Sequence, residues 1–176
     1  MRGKKGVPHL DPDDPPRRRG NRAPGHGTGE SDRPPVCGMA GRPSGAVRLT
    51  VTEHSDGETL NGVVRGAAEP PAVVKTDDWR GYDRMAETGC AREVVCHAAG
   101  EWARDDDEDG VREVHVTTLE GLWTGLRDFL RMSRGVNKKY LYQYVAVFEW
   151  GSNIKRVTPE FIRAMLGVPI TTFSPP

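Results

Sequence analysis

The chain has 176 residues, with 25 Lys and Arg against 25 Asp and Glu and a formal net charge of zero. That length supports one domain with its own core, and the balanced charge excludes any argument from bulk electrostatics for binding nucleic acid. Cys37, Cys90 and Cys96 form no C-x-x-C pair and are odd in number, which speaks against a disulfide framework or zinc site and fits a reducing cytoplasm.

Residues 1–35 hold seven of the fourteen prolines, including Pro15-Pro16, which precede Arg17, Arg18 and Arg19. No apolar period runs through them, so an extended segment is expected, suited to lying along phosphates. No apolar stretch follows the basic start to make a secretory signal, and none has membrane-spanning length. From 36 to 167 the chain reads as one folded unit, and 168–176 as a flexible tail.

Val36–Ala40 suits a short strand, and Arg42-Pro43-Ser44-Gly45 a turn. Residues 46–53 then alternate, with Val47, Leu49 and Val51 on one face, so the two runs should pair as an antiparallel hairpin. Leu60, Val63, Val64 and Ala67 recur at helical spacing, and Glu69-Pro70-Pro71 stops that helix. Ala72-Val73-Val74 reads as a buried strand that runs into Lys75-Thr76-Asp77-Asp78. Trp79, Tyr82 and Met85 suggest a helix closed by Gly89. Glu93–His97 is a further strand, and 100–114 an acidic loop. Leu119, Leu122, Trp123, Leu126, Phe129 and Leu130 form one helical stripe, and Gly135 interrupts. Residues 139–150 make a second helix, apolar on most sides and so expected to be buried. Thr158-Pro159-Glu160 starts a third, which ends near Gly167. The sum is an α/β chain with a mixed sheet.

Charge is segregated along this order. Residues 1–35 carry eight basic and five acidic side chains, 101–120 two and eight, and 121–176 eight and three. An acidic site between basic surfaces suits a metal-dependent enzyme acting on DNA, although solvated charge has the same signature. Two-metal phosphoryl transfer needs clustered carboxylates at strand ends and helix faces. Asp77 stands where a strand ends, the place where α/β sheets gather ligands, while either Asp77 or its neighbour Asp78 also suits a helix N-cap. Glu120 can be a metal ligand in the first turn of its helix, or the third position of a capping box with Thr117 as N-cap. Arg127 lies two turns further on the same face, placed for a phosphate. The run Asp105–Gly110 imitates a calcium loop but has Val116 where the bidentate Glu belongs. His97 and His115 flank the region without defining a triad.

The stretches Pro15–Asn21, Gly25–Thr28, Ser31–Val36, Thr76–Tyr82, Cys96-His97 and His115–Trp123 resemble the ISXO-type group of bacterial insertion-sequence transposases of the DDE kind. So do Tyr140–Tyr144, Phe148-Glu149-Trp150 and Asn153, and the resemblance covers essentially the whole chain. It implies an RNase H-like mixed sheet with helices, and DNA cleavage and strand transfer with Mg²⁺ (or Mn²⁺). Asp77 matches the family's second acid and Glu120 the acid on the later helix. Transposon-end and target DNA, and further copies of the chain, are the implied partners, with the cytoplasm as compartment and no membrane. Arg17, Arg18, Arg19, Arg127, Arg131, Lys138 and Lys139 are the candidate phosphate contacts. Two departures stand out. The first central strand, with the family's first acid, is expected to be missing, because Asp11, Asp13 and Asp14 sit among prolines. Thr117 stands where relatives often carry Asn. The expectation is therefore a truncated copy with little or no activity of its own. The alternatives are a non-catalytic DNA-binding or inhibitory fragment, and an unrelated hydrolase using Asp77 and Glu120 as an acid/base pair.

Overall fold

The computed structural model of the chain describes residues 27–31, 33–96, 99–100, 103–105, 110, 114–115, 117–155 and 157–167. Two strands, β1 (Val36–Ala40) and β2 (Val47–Val51), pair antiparallel with Gly38 opposite Leu49. This is the hairpin expected from the period-two pattern, and Leu49 points into the core while Arg48 stays exposed. Ahead of it, the Gly29 N–H donates to the Glu53 carbonyl at 2.9 Å, so the chain is already bonded to the end of the hairpin there.

Helix α1 (Gly57–Arg65) starts on Asp56, whose carboxylate accepts the Thr59 N–H at 2.9 Å. Strand β3 (Val73–Asp77) follows and pairs parallel with β4 (Ala91–Val95), Asp77 lying opposite Val95. The connection is two short 3₁₀ turns, Arg80–Tyr82 and Met85–Thr88, rather than the single helix expected. Trp79, Tyr82 and Met85 are spaced by three, which suits a 3₁₀ turn as well as an α-helix. Gly89 closes the second turn at φ 80°, as its sequence position indicates. Val73 is exposed, so β3 buries its later residues rather than its first.

In the acidic region, β5 (Ala103–Arg104) and β6 (Val114–His115) form a short antiparallel pair, and β6 packs against both β3 and β4. Helices α2 (Thr117–Met132), α3 (Lys138–Asn153) and α4 (Pro159–Met165) complete the chain. The link between α2 and α3 turns through Arg134 and Gly135, both at positive φ. Thr158 caps α4 by accepting the Phe161 N–H at 3.1 Å.

Where one mixed sheet was expected, the described strands form three separate two-stranded sheets. The physical reason is that β1 and β3 are linked by side chains. Met39 of β1 packs on a cluster of Val64, Met85 and Cys90, which Val74 and Tyr82 also join. The other cluster, Leu49, Leu126 and Val145, holds α2 and α3 on the hairpin. A Cβ on Gly38 would lie 2.7 Å from the Trp123 ring, so glycine lets α2 approach β1. α3 is less buried than its composition suggests: Val145 is 1% exposed, but Tyr142, Val147 and Trp150 face outward.

The outer edge of β2 is closed by side chains of α3. Asn153 Oδ1 accepts the Val47 N–H at 2.7 Å and its Nδ2 donates to the Val47 carbonyl at 2.7 Å. One turn earlier, Glu149 accepts the Leu49 N–H at 2.6 Å and pairs with Arg48 at 3.1 Å. The two side chains substitute for a neighbouring strand. Asn153→Ala should cost about 1–3 kcal/mol, because both backbone groups of Val47 lose their partner. Urea unfolding with an unchanged m-value checks this; a loss below about 0.5 kcal/mol would mean that water replaces the amide.

Candidate active site

Asp77 ends β3, and Asp78 starts the loop that follows. The Asp77 carboxylate accepts one long hydrogen bond, 3.4 Å, from the Trp79 N–H, a short-range contact typical of aspartate at a turn. Asp78 takes a different partner, the Cys96 thiol, which donates to its Oδ2 at 3.1 Å. Of the two aspartates, Asp77 therefore satisfies the turn while keeping most of its acceptor capacity.

The loop is held by a residue that the sequence did not single out. Arg92, on β4, donates from Nε to the Thr76 hydroxyl at 3.0 Å and from Nη2 to the Asp77 carbonyl at 3.1 Å. It also reaches the Trp79 carbonyl at 3.5 Å and pairs with Asp83 at 3.5 Å. Its guanidinium sits 5.6 Å from the centre of the Tyr82 ring, and the side chain is only 18% exposed. One planar cation thus ties the end of β3 to the loop beyond it, using the fan of donors that arginine alone offers. An arginine within a strand reads as a solvent-facing residue, so only the register of β3 on β4 reveals this role.

Burial pushes the Tyr82 hydroxyl up to about 12, with the Asp77 carboxylate and the Cys37 thiol adding to the rise and Arg92 opposing it. The folded state therefore holds this proton more tightly than the unfolded chain, whose tyrosines titrate near 10. The contribution to stability is intact below pH 10 and is lost as pH rises toward 12. A late step should appear in a phenolate absorbance titration, and Tyr82→Phe should remove it. A titration with no late step, or one whose late step survives in Tyr82→Phe, would contradict this environment.

Glu120 lies exposed in the first turn of α2. The helix begins at Thr117 itself, so Thr117 stands inside the first turn rather than flanking it as an N-cap. β6 lies beside β3 and β4, and the chain enters α2 directly from it. The first turn of α2 therefore follows a strand that lies beside β3 and β4 but belongs to a separate sheet from the one that carries Asp77. The remainder of α2 packs on β1 and α3. Among the described residues, no three His, Cys, Asp or Glu side chains come together as a ready metal cluster. His97 and Asp106–Asp109 lie outside the described residues, as does the side chain of His115. Asp105 accepts the Gly110 N–H at 2.8 Å.

The basic candidates are dispersed. Arg127 is exposed on α2, and Arg131 pairs with Asp128 at 2.9 Å. At the start of α3, Lys138 donates to the Gly29 carbonyl at 2.7 Å, and the Lys139 ammonium lies 5.5 Å from the Tyr140 ring centre. Arg17, Arg18 and Arg19 lie outside the described residues. Among the described residues, no helix is long and apolar enough to cross a membrane.

A family model described as the ISXO2-like transposase domain matches residues 10–153. A protein described as an uncharacterized protein in transposable element ISH50, from Halobacterium salinarum, is 30% identical over 147 residues. That alignment covers 83% of this chain and 48% of the relative, so the chain spans about half the relative's length. With four-fifths of its residues inside the family match, the chain belongs to the ISXO2-like transposase domain family of insertion-sequence transposases of the DDE type.

Proposed function

We propose that the chain carries the catalytic domain of an insertion-sequence transposase, which cuts DNA and joins a 3′-hydroxyl to target DNA in an RNase H-like arrangement. The observation that carries this reading is the family match over residues 10–153, within which Asp77 falls at a strand end and Glu120 in the first turn of the following long helix. Both are oxygen donors, one half-buried with acceptor capacity left and one exposed, and hard divalent ions take such ligands. Asp77 and Glu120 would hold Mg²⁺ or Mn²⁺, which when bound stabilises charge on the attacking and leaving oxygens. In the joining step the 3′-oxygen forms a bond to phosphorus and gives its proton to solvent, while the P–O bond to the target strand's 3′-oxygen breaks and that oxygen takes up a proton from solvent. The protein's own part is to fix the Asp77 loop through Arg92 and to present Arg127 to phosphate.

The matched range opens at residue 10 and so takes in Asp11, Asp13 and Asp14. These three are the carboxylates to substitute first in a search for the third ligand. The test is incubation of the purified chain with a pre-cleaved transposon end and supercoiled target, with Mg²⁺ or with chelator. Joined product that needs the metal supports the reading. DNA binding that weakens steeply with salt, without joined product, would instead leave the chain as a non-catalytic DNA-binding partner of intact copies.

A further inference from the structure

We propose that Trp79 is a base-stacking platform, which receives an unpaired nucleobase of the DNA next to the Asp77 loop; the inference rests on the DNA-processing reading above. The indole is fixed from several sides. Its backbone N–H reaches the Asp77 carboxylate at 3.4 Å, and its carbonyl accepts from Arg92 at 3.5 Å. The ring stands edge-on to Tyr82, with centroids 5.7 Å apart and planes at 85°. It is folded over Gly81 so closely that a Cβ there would lie 2.2 Å from its Cζ3. Yet the residue keeps 39% of its surface exposed, and the next residue, Arg80, is exposed as well.

Tyr142 and Trp150 on α3 are more exposed still, so exposure alone marks no site; Trp79 differs in standing on the loop that carries Asp77. A held, part-exposed indole followed in the chain by an exposed arginine suits single-stranded nucleic acid, where bases stack on aromatics and cations follow the phosphates. Its place matters equally. Trp79 is two residues from the candidate ligand, on a loop that Arg92 clamps, so a base stacked there fixes the position of the strand relative to the Asp77 carboxylate. Gly81 is part of this device, because any larger residue would displace the ring.

The test uses the full chain and two labelled strands of equal length and charge, one of thymidines and one with every base removed. Stacking on one ring corresponds to about a five- to hundredfold preference for the base-bearing strand. Trp79→Ala should erase most of that preference and leave affinity for the abasic strand unchanged, while Trp79→Phe retains much of it. An unchanged melting temperature in Trp79→Phe separates loss of stacking from loss of fold. A Trp79→Ala protein that keeps the parent's preference overturns the platform even where the parent joins DNA normally. A parent that binds neither strand overturns the transposase reading and the platform together.

Discussion

Asp77→Ala is expected to lower metal-dependent strand transfer by about three orders of magnitude or more, the scale on which loss of a catalytic carboxylate is felt. Stability should hardly change, by about 1 kcal/mol or less, because among the described residues the carboxylate makes one long hydrogen bond, to the Trp79 N–H. That combination separates a ligand from a turn-former. A residue needed only to shape the loop would lose stability, and activity would fall in proportion to the fraction unfolded. Glu120→Ala should behave in the same way, since its side chain is exposed at the start of α2. A Glu120→Ala protein that joins DNA at the parent's rate would return Glu120 to the role of a helix-terminal acid near the positive end of the dipole.

Arg92 gives the second large effect, and it acts through Asp77. Arg92→Leu removes the charged donor from the Thr76 hydroxyl and from the carbonyls of Asp77 and Trp79, which keep only their Thr76–Asp77 and Tyr82–Trp79 hydrogen bonds, and releases Asp83. The expected loss is about 2–3 kcal/mol, since hydrogen bonds from a charged donor exceed the usual contribution. Arg92→Lys should recover less than half of this, because one ammonium cannot serve acceptors spread along the loop. Activity should fall further than stability explains, as the loop that aims Asp77 is freed. Thermal melting beside metal-dependent joining reads both quantities. An Arg92→Leu protein with the parent's melting temperature and rate would remove Arg92 from the account.

What the sequence discloses and what it hides divide along physical lines. The hairpin was legible because Val47, Leu49 and Val51 repeat at the period of a strand, and the turn residues between the strands name their own conformation. α4 was legible because Thr158 and Pro159 are local start signals whose effect depends on no distant residue. α3 misled because aromatic content reads as burial, whereas the hairpin covers one face only and leaves Tyr142 and Trp150 outside. The grouping of strands was hidden because it depends on which side chains lie between β1 and β3, a long-range matter. Of the candidate site residues, Asp77 is singled out by its place at a strand end, and Glu120 owes its weight to the family resemblance. Arg92 was invisible, as were the edge contacts of Glu149 and Asn153, because each acquires its role only from a partner far away in the chain.

Whether Asp77 and Glu120 share one divalent-metal site is read from a thermal-melting titration of the full chain with Mn²⁺. A ligand that binds only the folded state raises the melting temperature in step with its concentration. The melting temperature should rise in the parent, and little or not at all in Asp77→Ala and in Glu120→Ala, with all three proteins melting alike in chelator. A parent that gains nothing from Mn²⁺, or two variants that gain as much as the parent, would contradict a shared site.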